Sequence, residues 1–388
     1  MLTFFAFLAL GAWLYLAFWH GDFWRAEARL DAAAGREPET WPDVAAVIPA
    51  RDEAAVIGRT LAAHQASDYP GRFRLVVVDD GSADGTGGLA RAAAADGPRP
   101  VDVIEAPPLA PGWTGKLAAL AAGVARAKEL APDARYILFA DADIEYAPGT
   151  LRRLVAKAEA EDLALASLMA RLDARGAWGA LLIPAFVYFF QKLYPFARVN
   201  DPESPAAAAA GGCMLVRRDA YEAAGGVEAI RDRLIDDCAL ARRIKREGAG
   251  APRRIWLSLA ADEVVSLRDN RALSSVWRMV ARTAFAQLDH SWLLLAGTLA
   301  GMTLLYLVPP LAALSALFAG ATPAAGYGLA AWAVMAATYR PTATLYGLSP
   351  WRTLLLPLAA FFYVLMTISS AERHARGEGG SWKGRSYP

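Results

Sequence analysis

Val76-Val-Val-Asp79-Asp80-Gly81-Ser82 and Phe139-Ala-Asp141-Ala-Asp143 are two apolar, β-type runs that each end in a pair of acids. Working outward from them, Asp43-Val-Ala-Ala-Val-Ile-Pro49 is predicted as a first strand. Phe73–Val78 is predicted as a second, Val101–Ile104 as a third and Tyr136–Phe139 as a fourth. Glu53–Gln65, Leu89–Ala95 and Lys116–Leu130 read as helices between them. Continuous apolar strands separated by helices predict an α/β fold with a mostly parallel sheet covered on both faces. Ligands bind such sheets at the carboxyl ends of the strands, where both acid pairs fall. The sequence contains no 20–50 residue repeat.

An acid at a strand end also serves as a helix cap, and Asp80-Gly81-Ser82 reads equally as a turn. Two acid pairs on one sheet edge, however, repel one another and call for a cation. If the chain stays extended, Asp141 and Asp143 point to one side. Hard oxygen ligands of this kind suit Mg2+ or Mn2+ carrying a diphosphate. A third pair lies in Arg233-Leu-Ile-Asp236-Asp237-Cys-Ala-Leu-Ala-Arg-Arg243. It reads as an N-cap with a first-turn acid, or as a general base whose pKa is raised by burial beside a second acid. No GxxxxGK[ST] loop occurs, and Pro49-Ala-Arg51-Asp-Glu53 stands where a GxGxxG turn would come after the first strand. P-loop and dinucleotide-binding Rossmann readings are therefore set aside.

The 388 residues leave room for a medium-sized domain and something more. Apolar residues make up 55% and charged residues 20%, high in apolar content for a purely soluble enzyme. With 40 basic and 39 acidic residues, no global field recruits nucleic acid. Two cysteines and four scattered histidines exclude a disulfide framework and a Cys- or His-rich metal centre.

The apolar excess sits at the ends. Leu2–Trp19 is an uncharged run of 18 residues, close to the ~20 that cross a bilayer. A cleaved signal peptide is the competing reading, but no basic segment precedes the run and bulky Phe18, Trp19 and Trp24 occupy the cleavage region. Arg25 and Arg29 favour a cytoplasmic position for the C-terminal side of the run. Ser291–Tyr339 is uncharged over 49 positions, with Pro309-Pro310 inside it, and Thr353–Ala371 is uncharged over 19. Three full C-terminal crossings would leave Arg373, Arg376, Lys383 and Arg385 outside, so one piece is expected not to cross fully. The expected organisation is a transmembrane helix at 1–20, a linker at 21–42, a cytoplasmic domain at 43–288, a C-terminal transmembrane region at 289–371 and a cytoplasmic tail at 372–388. Residues 177–196 read as a core helix or as an interface helix with Trp, Tyr and Lys at headgroup depth. Residues 272–288 are expected to form a second interface helix.

The ordered set Val47-Ile-Pro-Ala-Arg-Asp-Glu53, Val78-Asp-Asp-Gly-Ser-Ala-Asp-Gly-Thr86, Gly115-Lys116, Asp141-Ala-Asp143, Gly211-Gly-Cys-Met-Leu-Val-Arg217 and Ile235-Asp-Asp237 resembles a family-2 glycosyltransferase of the GT-A fold. The resemblance covers roughly 43–288. With the membrane ends, the layout looks most like the hopene-associated glycosyltransferases, and more distantly like ceramide glucosyltransferases. The resemblance implies a donor pocket of Pro49, Arg51 and Glu53, with Asp79 and Asp80 on the uracil and ribose side and Lys116 at the diphosphate. It implies Asp141 at the donor sugar or ribose, Asp143 with Asp141 at the Mn2+ or Mg2+ ion, and Gly211 and Gly212 at the acceptor. Asp237 is the implied base, with Asp236 as the alternative.

Processive members carry Q/R-x-x-R-W, where this chain has Trp277-Arg-Met-Val-Ala-Arg282. Polymer synthesis is therefore disfavoured. Arg278 and Arg282 are four apart on one helical face, placed to bind the diphosphate or to anchor the helix at lipid headgroups. The implied reaction is inverting transfer from a UDP-sugar to a hydroxyl of a membrane lipid of hopanoid type. A ceramide-like or polyprenyl-phosphate acceptor is the alternative. A transporter or membrane scaffold with a degenerate transferase domain is the competing class, opposed by the intact acid pairs and by membrane segments without buried ionisable groups. The implied setting is the cytoplasmic membrane of a bacterial-type cell, and the tail Gly380–Arg385 is expected to fold back on the cytoplasmic domain.

Overall fold

Val44–Ala50 (β1), buried along its whole length, is the strand around which the sheet is arranged. The computed structural model describes residues 1–27, 29–30, 37–246, 253–320, 322–379, 381–382 and 385–386. The further strands are Phe73–Asp79 (β2), Val101–Glu105 (β3), Tyr136–Phe139 (β4), Ile144–Tyr146 (β5), Leu165–Met169 (β6), Met214–Arg217 (β7), Ile255–Leu259 (β8) and Val264–Ser266 (β9). Seven of them form one sheet in the order β3-β2-β1-β4-β7-β6-β8, and β5 pairs with β9 in a second. β1 runs parallel to β2 and β4, with Val47 opposite both Val76 and Phe139.

The α/β, parallel-rich fold expected from the sequence is present. One strand departs from it. β7 is antiparallel to both β4 and β6, with Met214 opposite Phe139 and Ser167. Its reversal brings Gly211 and Gly212, which precede it, to the edge where β4 ends.

Alternation sorts the sheet's side chains to two faces. Val47, Val76, Val78, Ile137 and Phe139 pack with Leu117 and Val124 on one side. Ile48, Leu75, Val77 and Leu138 pack with Leu61 and Leu154 on the other. The helix Gly115–Leu130 lies close against the first face, because a Cβ at Gly123 would collide with Val47 and stand 2.9 Å from Val78 Cγ2. The helix expected from Glu53 starts only at Ile57. Glu53–Val56 is a turn instead, with the Val56 and Ile57 N–H groups donating to the Glu53 carbonyl.

Four helical segments are long and apolar enough to cross a membrane: Leu2–Trp19, Gly176–Leu193, Trp292–Phe318 and Pro350–Ala375. The proline pair does not break the third. A π-turn at Thr303–Leu307 absorbs the irregularity, and Pro309-Pro310 fall in the first turn of Val308–Leu314, where missing N–H groups cost little. Trp13 Nε1 donates to the Leu305 carbonyl of that π-turn at 2.7 Å. The helix Pro323–Leu345 packs along Leu2–Trp19. It ends where the Tyr346 hydroxyl accepts the Leu172 N–H at 3.4 Å. The chain then runs back as Pro350–Leu355, whose Leu354 carbonyl accepts from Trp332 in the middle of the preceding helix. Leu356–Ala375 returns until His374 stacks on His290.

Gly176–Leu193 is wedged among these helices. The Tyr188 hydroxyl bonds Thr338, Gln191 donates to Thr342, and the Leu182 carbonyl accepts from Tyr363. In the tail, Ser381–Trp382 pairs antiparallel with Arg385–Ser386. The expected fold-back falls partly on Gly380, Lys383 and Gly384, which lie outside the described residues.

Candidate active site

Pro49 stands in β1 beyond its last pairing with β4, which ends at Val47 and Phe139. A central strand tolerates proline there because no ladder partner on the β4 side goes unserved. Pro49 therefore lines a cleft of about 330 Å3, open solvent included, with Lys116, Phe139, Asp141, Gly211, Met214, Asp236 and Asp237.

Lys116 is the hub of this cleft. It lies in the first turn of Gly115–Leu130, which the Thr114 hydroxyl caps by accepting the Leu117 N–H. Its Nζ stands 3.0 Å from Asp141 Oδ1 and 3.1 Å from Asp236 Oδ2. Burial alone would lower its pKa, but Asp141, Asp236 and Asp237 outweigh burial and hold the ammonium above its ordinary range. Burial likewise pushes Asp141 up, yet the Lys116 charge and hydrogen bond, with Arg268 and Arg282, keep this carboxyl below the usual range.

Asp237 differs from its neighbour. Its Oδ2 accepts the Gly211 N–H at 2.9 Å and its Oδ1 accepts the Cys238 N–H at 2.7 Å. Burial and the adjacent Asp236 nevertheless push its carboxyl up to about 6, against the smaller opposing pull of Lys116. A Cβ at Gly211 would stand 3.3 Å from Lys116 Nζ and 3.5 Å from Asp237 Oδ2, so a glycine lets the backbone reach both. Gly212 is tied to the small sheet by its carbonyl, which accepts from Tyr146 at 2.8 Å.

The chain does not stay extended through Asp141-Ala-Asp143. It turns at Ala142 and Asp143, so the two acids meet different cations. Asp143 Oδ2 stands 3.1 Å from Arg268 Nε, and the same guanidinium lies 3.8 Å from Glu53 Oε1. Arg282 is half-buried, and its charge acts on Asp141, Asp236 and Asp143. Arg278, expected beside it, is exposed. At the end of β2, Asp80 Oδ2 pairs with Arg51 at 3.4 Å. Asp79 turns into its own loop, where Oδ1 accepts from the Ser82 N–H at 3.1 Å and from the Ser82 hydroxyl. The Glu53 N–H donates to Thr86.

The structure thus brings Pro49, Lys116, Asp141, Gly211, Asp236 and Asp237 into one cleft, with Asp143, Glu53 and Arg282 linked to it by charge. Arg268 was not singled out from the sequence. Its neighbourhood is made by the β5–β9 pairing, which sets Ile144 opposite Ser266 and lets the Leu267 N–H bond the Asp143 carbonyl at 2.8 Å. Among the described residues, no group of three or more His, Cys, Asp or Glu side chains forms a metal cluster. Asp141 and Asp143 are still a sound partial donor set. A hard divalent ion held with a diphosphate takes only one or two carboxylates from the protein and the rest from phosphate and water.

The parallel-rich α/β sheet thus gathers acids and cations at its carboxyl edge. Residues 45–225, just under half the chain, match the model of glycosyl transferase family 2. No curated protein matches the chain. Among solved structures, the chain is similar to a mannosyltransferase from Pyrobaculum calidifontis in complex with GDP-Man and Mn2+. That likeness has 22% identity and a TM-score of 0.58, covering 94% of this chain and 99% of the other, and so extends to the apolar helices outside the family match. Glucosyl-3-phosphoglycerate synthase from M. tuberculosis is 20% identical, with 67% of this chain and 87% of that one covered and a TM-score of 0.41. TarS from S. aureus is 14% identical, with 63% and 40% covered and a TM-score of 0.41.

Proposed function

We propose that this protein transfers a sugar from a nucleotide diphosphate, a UDP-sugar in the first instance, to the hydroxyl of a membrane lipid, inverting the anomeric centre. The observation that carries the reading is the pairing of unlike neighbours in one cleft. Asp236 is engaged by Lys116, whereas Asp237 has its pKa raised to about 6. A base poised near neutral pH is suited to take the acceptor proton. Gly211 and Cys238 N–H groups hold the Asp237 carboxylate while it does so. Attack from the side opposite the diphosphate inverts the sugar carbon. Lys116, Arg268 and Arg282 are the cations within reach of a departing diphosphate.

Asp143 and Asp141 would hold a Mn2+ or Mg2+ ion, which when bound offsets the charge gathering on the leaving group. For that, Asp143 and Asp141 must exchange contacts with Arg268 and Lys116, which frees both cations for phosphate oxygens. Arg51 and Asp80 are assigned to the nucleoside side. The P. calidifontis mannosyltransferase was solved with GDP-Man, so guanosine donors are the direct comparator.

The lipid acceptor is supported by the apolar helices around the domain. In this reading Leu2–Trp19, Trp292–Phe318 and the less apolar Pro323–Leu345, which packs along Leu2–Trp19, cross the bilayer. Residues 43–288 and 372–388 are cytoplasmic, and 346–371, though apolar enough to cross, enters and returns on one side. The hopanoid class rests on the motif resemblance alone. The test is nucleotide release by the full chain in detergent, with UDP- and GDP-sugars, with Mn2+, Mg2+ or neither, and with or without a hopanoid-containing lipid extract. Lipid-stimulated release with one donor, lost in Asp237→Asn, is expected. Release that ignores lipid, or survives that substitution, would overturn the reading.

A further inference from the structure

A second cleft, of about 300 Å3 with open solvent included, lies where the helix Leu273–Thr283 and the turn after it meet the end of Leu356–Ala375. Arg282, Arg373, His290 and His374 line it, and Glu378 is the acid on its wall. Among the described residues, neither the Arg282 nor the Arg373 guanidinium has a carboxylate within 4 Å or a hydrogen-bond acceptor. Both are only partly exposed. Arg282 already feels Asp141, Asp236 and Asp143 at longer range, whereas Arg373 is a half-buried cation without a carboxylate beside it among the described residues, which is costly and calls for an anion.

The imidazoles are set in place at some expense. Asp289 and His290 both adopt left-handed backbone, with φ of 47° and 55°, a conformation that non-glycine residues rarely take in succession. Such strain persists where the surroundings impose it, and it clusters at binding sites. Here the result is a face-to-face stack of His290 on His374, with ring centroids 4.2 Å apart and 8° between planes, edged by Phe285. Two stacked imidazoles and two guanidiniums around one cavity supply forked and single N–H donors to a tetrahedral oxyanion.

We infer that this cavity binds the phosphate of a membrane lipid, which holds Arg282 against the acid cluster. The lipid source is set by position. Trp292, 57% exposed, opens one apolar helix beside the cavity, and His374 closes another, so the cavity lies at the foot of both. Tryptophan at a helix end and basic residues between helices mark headgroup depth. The inference rests on the proposed membrane placement of the apolar helices.

The experiment uses the full chain in detergent micelles doped with phosphatidic acid or with diacylglycerol of the same chains, and bound lipid is counted by mass spectrometry. Phosphatidic acid should be retained in preference. The Arg373→Gln/His374→Gln variant should retain it at least about tenfold more weakly, the loss expected for charge-assisted hydrogen bonds. Arg373→Lys, a milder change, should keep most of it. Equal retention of both lipids, or retention unchanged in the double variant, overturns the inference. Inorganic phosphate that binds alone as tightly as phosphatidic acid, and displaces it, overturns the lipid source. Alkaline extraction of membranes separates the two readings. Extractable protein ends the membrane reading and this one with it, whereas embedded protein without phosphate preference ends this one alone.

Discussion

Asp236 and Asp237 are adjacent in the chain and opposite in circumstance, and the difference is made by one lysine. Lys116 Nζ reaches Asp236, and the second acid is left with backbone donors and a buried setting that raises it to about 6. Activity should therefore fall as pH drops through about 6, where Asp237 gains its proton, and a kcat/KM profile should show that acid limb. The same shift has a stability consequence. A carboxyl whose folded pKa exceeds its unfolded value costs stability above the folded pKa and nothing below the unfolded one, so the penalty grows between about pH 4 and about pH 6. Asp237→Asn should abolish turnover yet stabilise the fold at about pH 7.5 by on the order of 1–3 kcal/mol. The gain should vanish near about pH 4. Thermal unfolding of both forms at the two pH values checks it, and a destabilised variant at the higher pH would contradict the burial argument.

At the scale of elements, the carboxyl edge depends on a lysine outside the cleft. Lys245, 2% exposed near the end of the helix Asp236–Arg246, donates to the carbonyls of Val199 at 2.7 Å, Asp201 at 2.8 Å and Ala206 at 2.7 Å. It ties the helix that starts with the acid pair to the loop that leads to Gly211. Lys245→Met keeps the stem but leaves those carbonyls unserved, which should cost about 2–4 kcal/mol. Its midpoint of thermal unfolding should fall clearly, and an unchanged midpoint would remove the clamp. The strand-end acids were legible because each ended an apolar run, and the four parallel strands because they were continuous. β7 escaped notice as a strand because its short apolar run ends in no acid pair, and its reversal depends on neighbours far away in sequence. Arg268 carried no local signal at all, since only the β5–β9 pairing sets it on Asp143. The turn at Asp143 is likewise imposed by that small sheet, against the extended reading.

In the proposed membrane placement, the path of the last segment bears on the parity problem that charge counting raised. If every apolar piece after the domain crossed the membrane, the basic tail would end on the far side from Arg25. The structure routes the last piece differently. It leaves Tyr346 beside Leu172, climbs to Leu354 at mid-length of the neighbouring helix, and comes back to set His374 on His290. Both ends thus lie on the domain's side, and the cations Arg373 and Arg376 stay with it. This can be tested with thiols because the two natural cysteines are buried, Cys213 fully and Cys238 at 3% exposure. Phe318, 91% exposed at the far turn, should react as Phe318→Cys with an impermeant maleimide in intact cells. Glu378→Cys and Arg72→Cys, on the tail and on the domain, should react only after lysis. Labelling of Glu378→Cys in intact cells, with Arg72→Cys still protected, would mean that the last segment crosses completely. The contacts of Trp332 and His374 would then have to be rebuilt around a different path.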